Sequence, residues 1–133
     1  MKLFKYLFGL LLFTIPVKAA APQVYLGGST QYERDRILRL EHTLNFSREP
    51  MLSPWTIRIL DEETFLKYVR ENNLSTYSAY TNLFGTVTSL NEGYLEFAID
   101  SRVRHTLAHE AGHVICQCAS EDKANEIAYQ LEK

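Results

Sequence analysis

The chain has 133 residues, 46% of them apolar and 23% charged, with a formal net charge of −2. That length suits one domain with one modest core and excludes a cofactor domain joined to a separate substrate domain. The composition excludes a disordered chain, and two cysteines exclude a disulfide scaffold.

Residues 1–21 read as a targeting segment. Lys2 and Lys5 open it, residues 7–15 are apolar but for Gly9 and Thr14, and Pro16 breaks any helix there. Val17-Lys18-Ala19 and Ala19-Ala20-Ala21 both fit the small-x-small cleavage pattern, so cleavage is expected after Ala19 or Ala21. A transmembrane anchor is the alternative, but its apolar run is well short of the ~20 residues a span needs. No Cys follows the run, so no lipid anchor is expected. The mature protein is expected to be exported, periplasmic or secreted, with no stable membrane anchor. With Lys2, Lys5 and Lys18 removed and no acid lost, 11 of the 14 basic residues remain beside all 16 acidic ones, a net −5. An acidic domain without a basic cluster argues against nucleic-acid binding.

The remaining residues, 22–133, are expected to form a single domain. Residues 22–28 look extended. Thr30 stands three residues before Glu33, a capping-box spacing, and Tyr32, Ile37, Leu40 and Leu44 follow at helical spacing, which predicts a helix over 31–46. Pro50 and Pro54 mark a loop. Residues 55–60 alternate and are rich in β-formers, predicting a strand. Asp61 suits the cap of a helix over 62–71, ended by Asn72-Asn73. Residues 84–90 and 94–99 flank Asn91-Glu92-Gly93, which predicts a hairpin. Asp100 or Ser101 suits the cap of a helix running to about 117, and Ser120 that of a last helix to the C-terminus. The expected class is α+β, with a small, mostly antiparallel sheet.

The chemistry is concentrated in residues 109–113, His-Glu-Ala-Gly-His. Two His four apart lie one turn above each other on a helix face, where both imidazoles can reach one metal ion at the distances zinc needs. The intervening Glu110 then stands beside the ion, where a carboxylate can take a proton from an activated water. A helix with two surface His and no metal is the bland alternative. Gly112 inside a helix costs ~1 kcal/mol relative to Ala. Close approach of another backbone would justify it, and a merely tolerated glycine is the alternative.

This segment resembles the zincin metallopeptidases, whose N-terminal sheet and HExxH helix follow the same order of elements. The resemblance implies that the hairpin supplies an edge strand for an extended substrate, with 94–99 as the candidate here. Catalytic zinc needs three protein ligands and an open position. No His follows, which excludes the metzincin pattern. The stretch Glu121-Asp122-Lys123-Ala124-Asn125-Glu126-Ile127-Ala128 looks like the Glu-x-x-Ala-Asn/Asp-x-x-Ala helix of gluzincins, as in ImmA/IrrE-like and HtpX-like peptidases. By that resemblance Glu121 is the third ligand, Asn125 supports a ligand His, and Ala124 and Ala128 let two helices pack closely. Only seven residues separate His113 from Glu121, fewer than these families usually have. The chain must therefore turn back at once, and Glu126, Asp122 or a cysteine remain as alternative ligands.

Cys116 shares the face of His113, and Cys118 lies near the helix end. Cys-x-Cys is too close for a relaxed disulfide within a helix. Buried free thiols, a local or intermolecular disulfide and metal ligation all stay open. His105 is two turns, roughly 12 Å of rise, from His113, so it does not share an ion with it and reads as a surface or rim residue. His42 reads as structural, Trp55 as core, and Tyr129 as a weak candidate for oxyanion stabilisation. The resulting expectation is a small exported zinc metallopeptidase acting on a peptide or protein substrate, with zinc on His109, His113 and Glu121 and Glu110 as general base. Its cleft should be shallow, which leaves a place for a protein partner that completes it. A zinc-binding regulatory or interaction protein without proteolysis, and an exported domain without metal, are the competing readings.

Overall fold

The computed structural model describes residues 30–133. The expected signal segment and the extended stretch at 22–28 lie outside the described residues. The chain forms α1 (Gln31–Glu41), β1 (Thr56–Leu60), α2 (Glu62–Glu71), β2 (Ala79–Asn82), β3 (Val87–Asn91), α3 (Glu92–Phe97), α4 (Asp100–Cys116) and α5 (Glu121–Leu131). This is a small α+β fold. No helix among the described residues is long and apolar enough to cross a membrane.

Helix α1 starts where its capping signal places it, with Thr30 Oγ1 accepting the Glu33 N–H at 3.3 Å. It ends at Glu41, short of the expected 46. Leu44 and Phe46 still pack on the core, but from turns closed by Thr43 N–H to Leu40 O and Leu44 N–H to Glu41 O. Apolar spacing therefore outlasts the helix. β1 alternates as predicted, with Ile57 and Ile59 buried. α2 has its predicted bounds, and Asp61 Oδ2 accepts the Thr64 N–H at 3.0 Å.

The sheet has the order β1-β3-β2. β1 and β3 are parallel, with Thr56 opposite Val87, and β2 and β3 are antiparallel, with Ala79 opposite Leu90. The sheet is therefore mixed, with one parallel and one antiparallel pair. The expected hairpin of 84–90 with 94–99 does not form; the hairpin is β2 with β3, and residues 92–97 are helical. The reason lies at Asn91, which is fully buried. Its Oδ1 accepts the Gly93 N–H at 2.9 Å and its Nδ2 donates to Tyr77 O at 2.8 Å, so it ends the strand and caps α3. The alternation in 94–99 has no buried face to serve: Leu95 is core, while Phe97 and Ile99 are exposed.

The two faces of the sheet are covered differently. Ile57, Ile59, Ala79 and Leu90 join the main core with α1, α4 and α5. Phe65, Val69 and Tyr80 form a smaller core under α2. Helix α4 begins at Asp100 without a side-chain cap from Ile99, and Asp100 pairs instead with Arg36 and Arg39 of α1. Buried Arg36 also donates to Leu95 O at 2.6 Å and Ala98 O at 2.5 Å, tying α1 to the α3–α4 junction.

Helices α4 and α5 pack back to back. A Cβ on Gly112 would lie 2.5 Å from the carbonyl oxygen and 2.9 Å from the Cα of Ala124. Close backbone approach is thus the reason for this glycine. Gly→Ala inside a helix ordinarily stabilises by up to ~1 kcal/mol. Here the sign is expected to invert, with Gly112→Ala destabilising by about 1–3 kcal/mol through overpacking, read as a lower denaturation midpoint at unchanged m-value.

Candidate metal centre

Leu107, Ala108, Ala111 and Val114 bury one side of α4, and this fixes the rotation of the helix. His109 and His113 then stand one turn apart on the side facing α5. Their Nε2 atoms are 3.2 Å apart. Glu121, the first residue of α5, brings Oε2 to 2.7 Å from His109 Nε2 and Oε1 to 3.3 Å from His113 Nε2. The edge of a tetrahedron with zinc–nitrogen bonds is about 3.3 Å. His109, His113 and Glu121 thus form a group that could hold a metal ion, with all their ligand atoms within 4.8 Å of one another.

The other ring nitrogens fix the tautomers. His109 Nδ1 donates to Asn125 Oδ1 at 2.7 Å, and His113 Nδ1 donates to the Cys118 carbonyl at 2.9 Å. With Nδ1 donating, each ring presents Nε2 to the carboxylate of Glu121, and that atom is an acceptor whenever the ring carries one proton. Acceptors held this close repel unless a cation or shared protons lie between them, which is the electrostatic condition of a metal site.

The short link between the helices is a tight reversal. Gln117 is left-handed (φ 51°), a position where glycine is usual. Its N–H donates to Val114 O and the Cys118 N–H donates to His113 O, both at 3.3 Å. Ser120 Oγ then accepts the Lys123 N–H and starts α5. Because Gln117 has already left the helix, Cys116 and Cys118 are joined in a disulfide that a continuous helix would not permit. They are neither free thiols nor metal ligands. What the link adds to the site is the Cys118 carbonyl, a backbone group that residue types do not reveal.

Glu110 lines the same cleft as His109, His113 and Glu121 but is outside the group that could hold an ion. Its side chain is almost wholly buried, and Oε2 accepts a hydrogen bond from Thr81 Oγ1 of β2 at 2.5 Å. Burial raises its carboxyl above the ordinary range; the Thr81 hydrogen bond and the two imidazoles oppose that, and Glu121 adds to it. A cleft of about 690 Å³ opens along β2, and His109, Glu110, His113 and Glu121 stand on its wall. β2 is the edge of the sheet on this side, so the edge strand at the site is β2 rather than 94–99.

The remaining candidates fall elsewhere. His105 is an exposed surface residue that does not line the cleft, with Nδ1 2.6 Å from Glu132 Oε1. His42 is an exposed residue at the end of α1. Tyr129 is exposed under Lys133 and does not line the cleft; Tyr68 and Tyr80, stacked at 4.5 Å, do. Glu126 and Asp122 lie outside the ligand group.

Two outcomes are expected. Asn125→Ala should weaken metal binding by about tenfold to a hundredfold in a competition titration, since it frees the His109 ring. Glu110 holds its proton to higher pH in the folded chain than in the unfolded one. Its contribution to stability is therefore complete below the ordinary carboxylate range and is lost as pH rises through the raised titration. Metal-free Glu110→Gln should match the wild type at about pH 4 and exceed it in stability at about pH 7.5, measured by urea denaturation with a chelator present. No protein-family model, no curated protein and no solved structure matches the chain.

Proposed function

We propose that the protein is a small exported zinc metallopeptidase of gluzincin type. One observation carries the reading: a buried carboxylate, Glu110, stands beside three convergent ligand groups in a cleft that opens along a sheet edge. Held by His109, His113 and Glu121, zinc would supply a Lewis acid for the scissile carbonyl and make a water acidic near neutral pH.

The chain's own groups do the rest. Glu110 takes a proton from the attacking water as the C–O bond forms, and gives it to the leaving amine as the C–N bond breaks. Burial suits it to both roles, because a carboxyl raised above its ordinary range accepts and returns a proton more evenly near neutral pH. Asn125 and the Cys118 carbonyl hold the two imidazoles in their tautomers throughout. An extended peptide laid against β2 would pair with the outer backbone groups of that strand and pass its scissile bond before Glu110. Tyr68, Tyr80 and Phe84 also line this cleft and offer apolar contact to its side chains.

The test starts from metal content. About one zinc per chain is expected in the wild type and in Glu110→Gln, with much less in Glu121→Ala, measured after purification without chelators. Glu110→Gln should lose peptide turnover by about 10²–10⁴-fold while keeping its zinc. A wild type without zinc would sink the proposal, turnover unchanged in Glu110→Gln would remove Glu110 as the base, and zinc without turnover would make this a metal-binding protein without proteolysis.

A further inference from the structure

We infer that Thr81 is a positioning residue that holds the Glu110 carboxylate out of the metal's coordination sphere. The inference rests on the metal site of the reading above and concerns a residue on a different element from any ligand. A carboxylate that follows a ligand His in sequence and shares its cleft is drawn to any dication bound there. A fourth protein ligand would close the position that substrate and water need. Something must therefore anchor Glu110 elsewhere, and its hydrogen-bonded side-chain partner is Thr81.

The anchor is directional. Trp55 is fully buried, and its indole N–H, which can only donate, points at Thr88 Oγ1 at 2.8 Å. Thr88 is also fully buried, and its hydroxyl lies 2.7 Å from Thr81 Oγ1. A hydroxyl has one proton. Thr81 commits its own proton to Glu110 Oε2, so the bond between the two hydroxyls is donated by Thr88, whose lone pairs accept from Trp55. The row of three bonds runs from Trp55, just before β1, through β3 and β2 to Glu110 on α4, with Thr81 and Thr88 opposite each other in the register. Each bond polarises the next, so the last donor meets the carboxylate strengthened. Glu110 is thereby held by the sheet while the ligands are held by the helices.

Valine removes the hydroxyl of Thr81 and keeps its shape and β-preference. The experiment uses the protein loaded with Co2+, whose visible spectrum reports coordination number, and titrates azide as a small anion that takes an open position. In the wild type and in Thr81→Ser, a four-coordinate spectrum and azide binding are expected. In Thr81→Val, Glu110 should swing onto the metal, changing the spectrum and weakening azide by about tenfold or more, the equivalent of one hydrogen bond to a charged group. Thr88→Val should shift azide affinity in the same direction by less. Thr81→Val combined with Glu110→Ala should regain wild-type azide affinity, which a general loosening of the fold would not restore. A Thr81→Val protein with the wild-type spectrum and azide affinity overturns the inference and leaves the metal site standing, as does a double variant that stays impaired. A wild type that binds no Co2+ overturns the metal reading and this inference together.

Discussion

At Gly112 the backbones of α4 and α5 approach so closely that a single methyl group would strike the carbonyl of Ala124. The rest of the site depends on that contact. Ala124 lies between Glu121 and Asn125 on α5, and Ala128 continues the same small-residue face. Only helices this near allow the short side chain of Asn125 to reach His109 Nδ1 and the carboxylate of Glu121 to reach both Nε2 atoms. Larger residues at 112 or 124 would widen the gap and leave the imidazoles without their partners. A residue with no side chain thus sets the geometry of three that have the chemistry.

The molecule divides the work between its layers. The two C-terminal helices and their link supply the ligand groups and the acceptors that orient them. The sheet holds the buried carboxylate of Glu110 through Thr81, whose hydrogen bond opposes the rise in proton affinity that burial causes. α1 contributes indirectly. Buried Arg36 gathers two carbonyls at the α3–α4 junction together with Asp100, which fixes where α4 begins and hence how its histidines are phased against the sheet. The arginine donates to carbonyls that end α3 and so does not substitute for the side-chain cap that α4 lacks.

What could be read from the residues was local. Asp61 and Ser120 cap the helices their positions suggest, β1 alternates as its β-formers require, and the Glu-x-x-Ala-Asn spacing brings Glu121 and Asn125 to the two histidines. The expected strand at 84–90 forms over Val87–Asn91, whereas 94–99 departs from its expected strand because alternation there competes with a cap. Asn91 uses its amide to end one element and start another, and a buried amide is decided by tertiary contacts. The cysteine bridge depends on a left-handed Gln117, a conformation that sequence assigns to glycine or asparagine more readily. Thr81 carries no motif. Its link to Glu110 spans 29 positions and that of Trp55 to Thr88 spans 33, so neither belongs to any local pattern.

That contrast in sequence separation has a kinetic consequence. Every ligand and every group that orients one falls between His109 and Asn125, at most 16 positions apart. Contacts of that range close early in a refolding chain, while those that join three strands to a helix close late. The helical hairpin can thus assemble the group that could hold an ion before Thr81 reaches the carboxylate of Glu110. Assembly of that group and anchoring of the carboxylate become separate events in the folding of the chain.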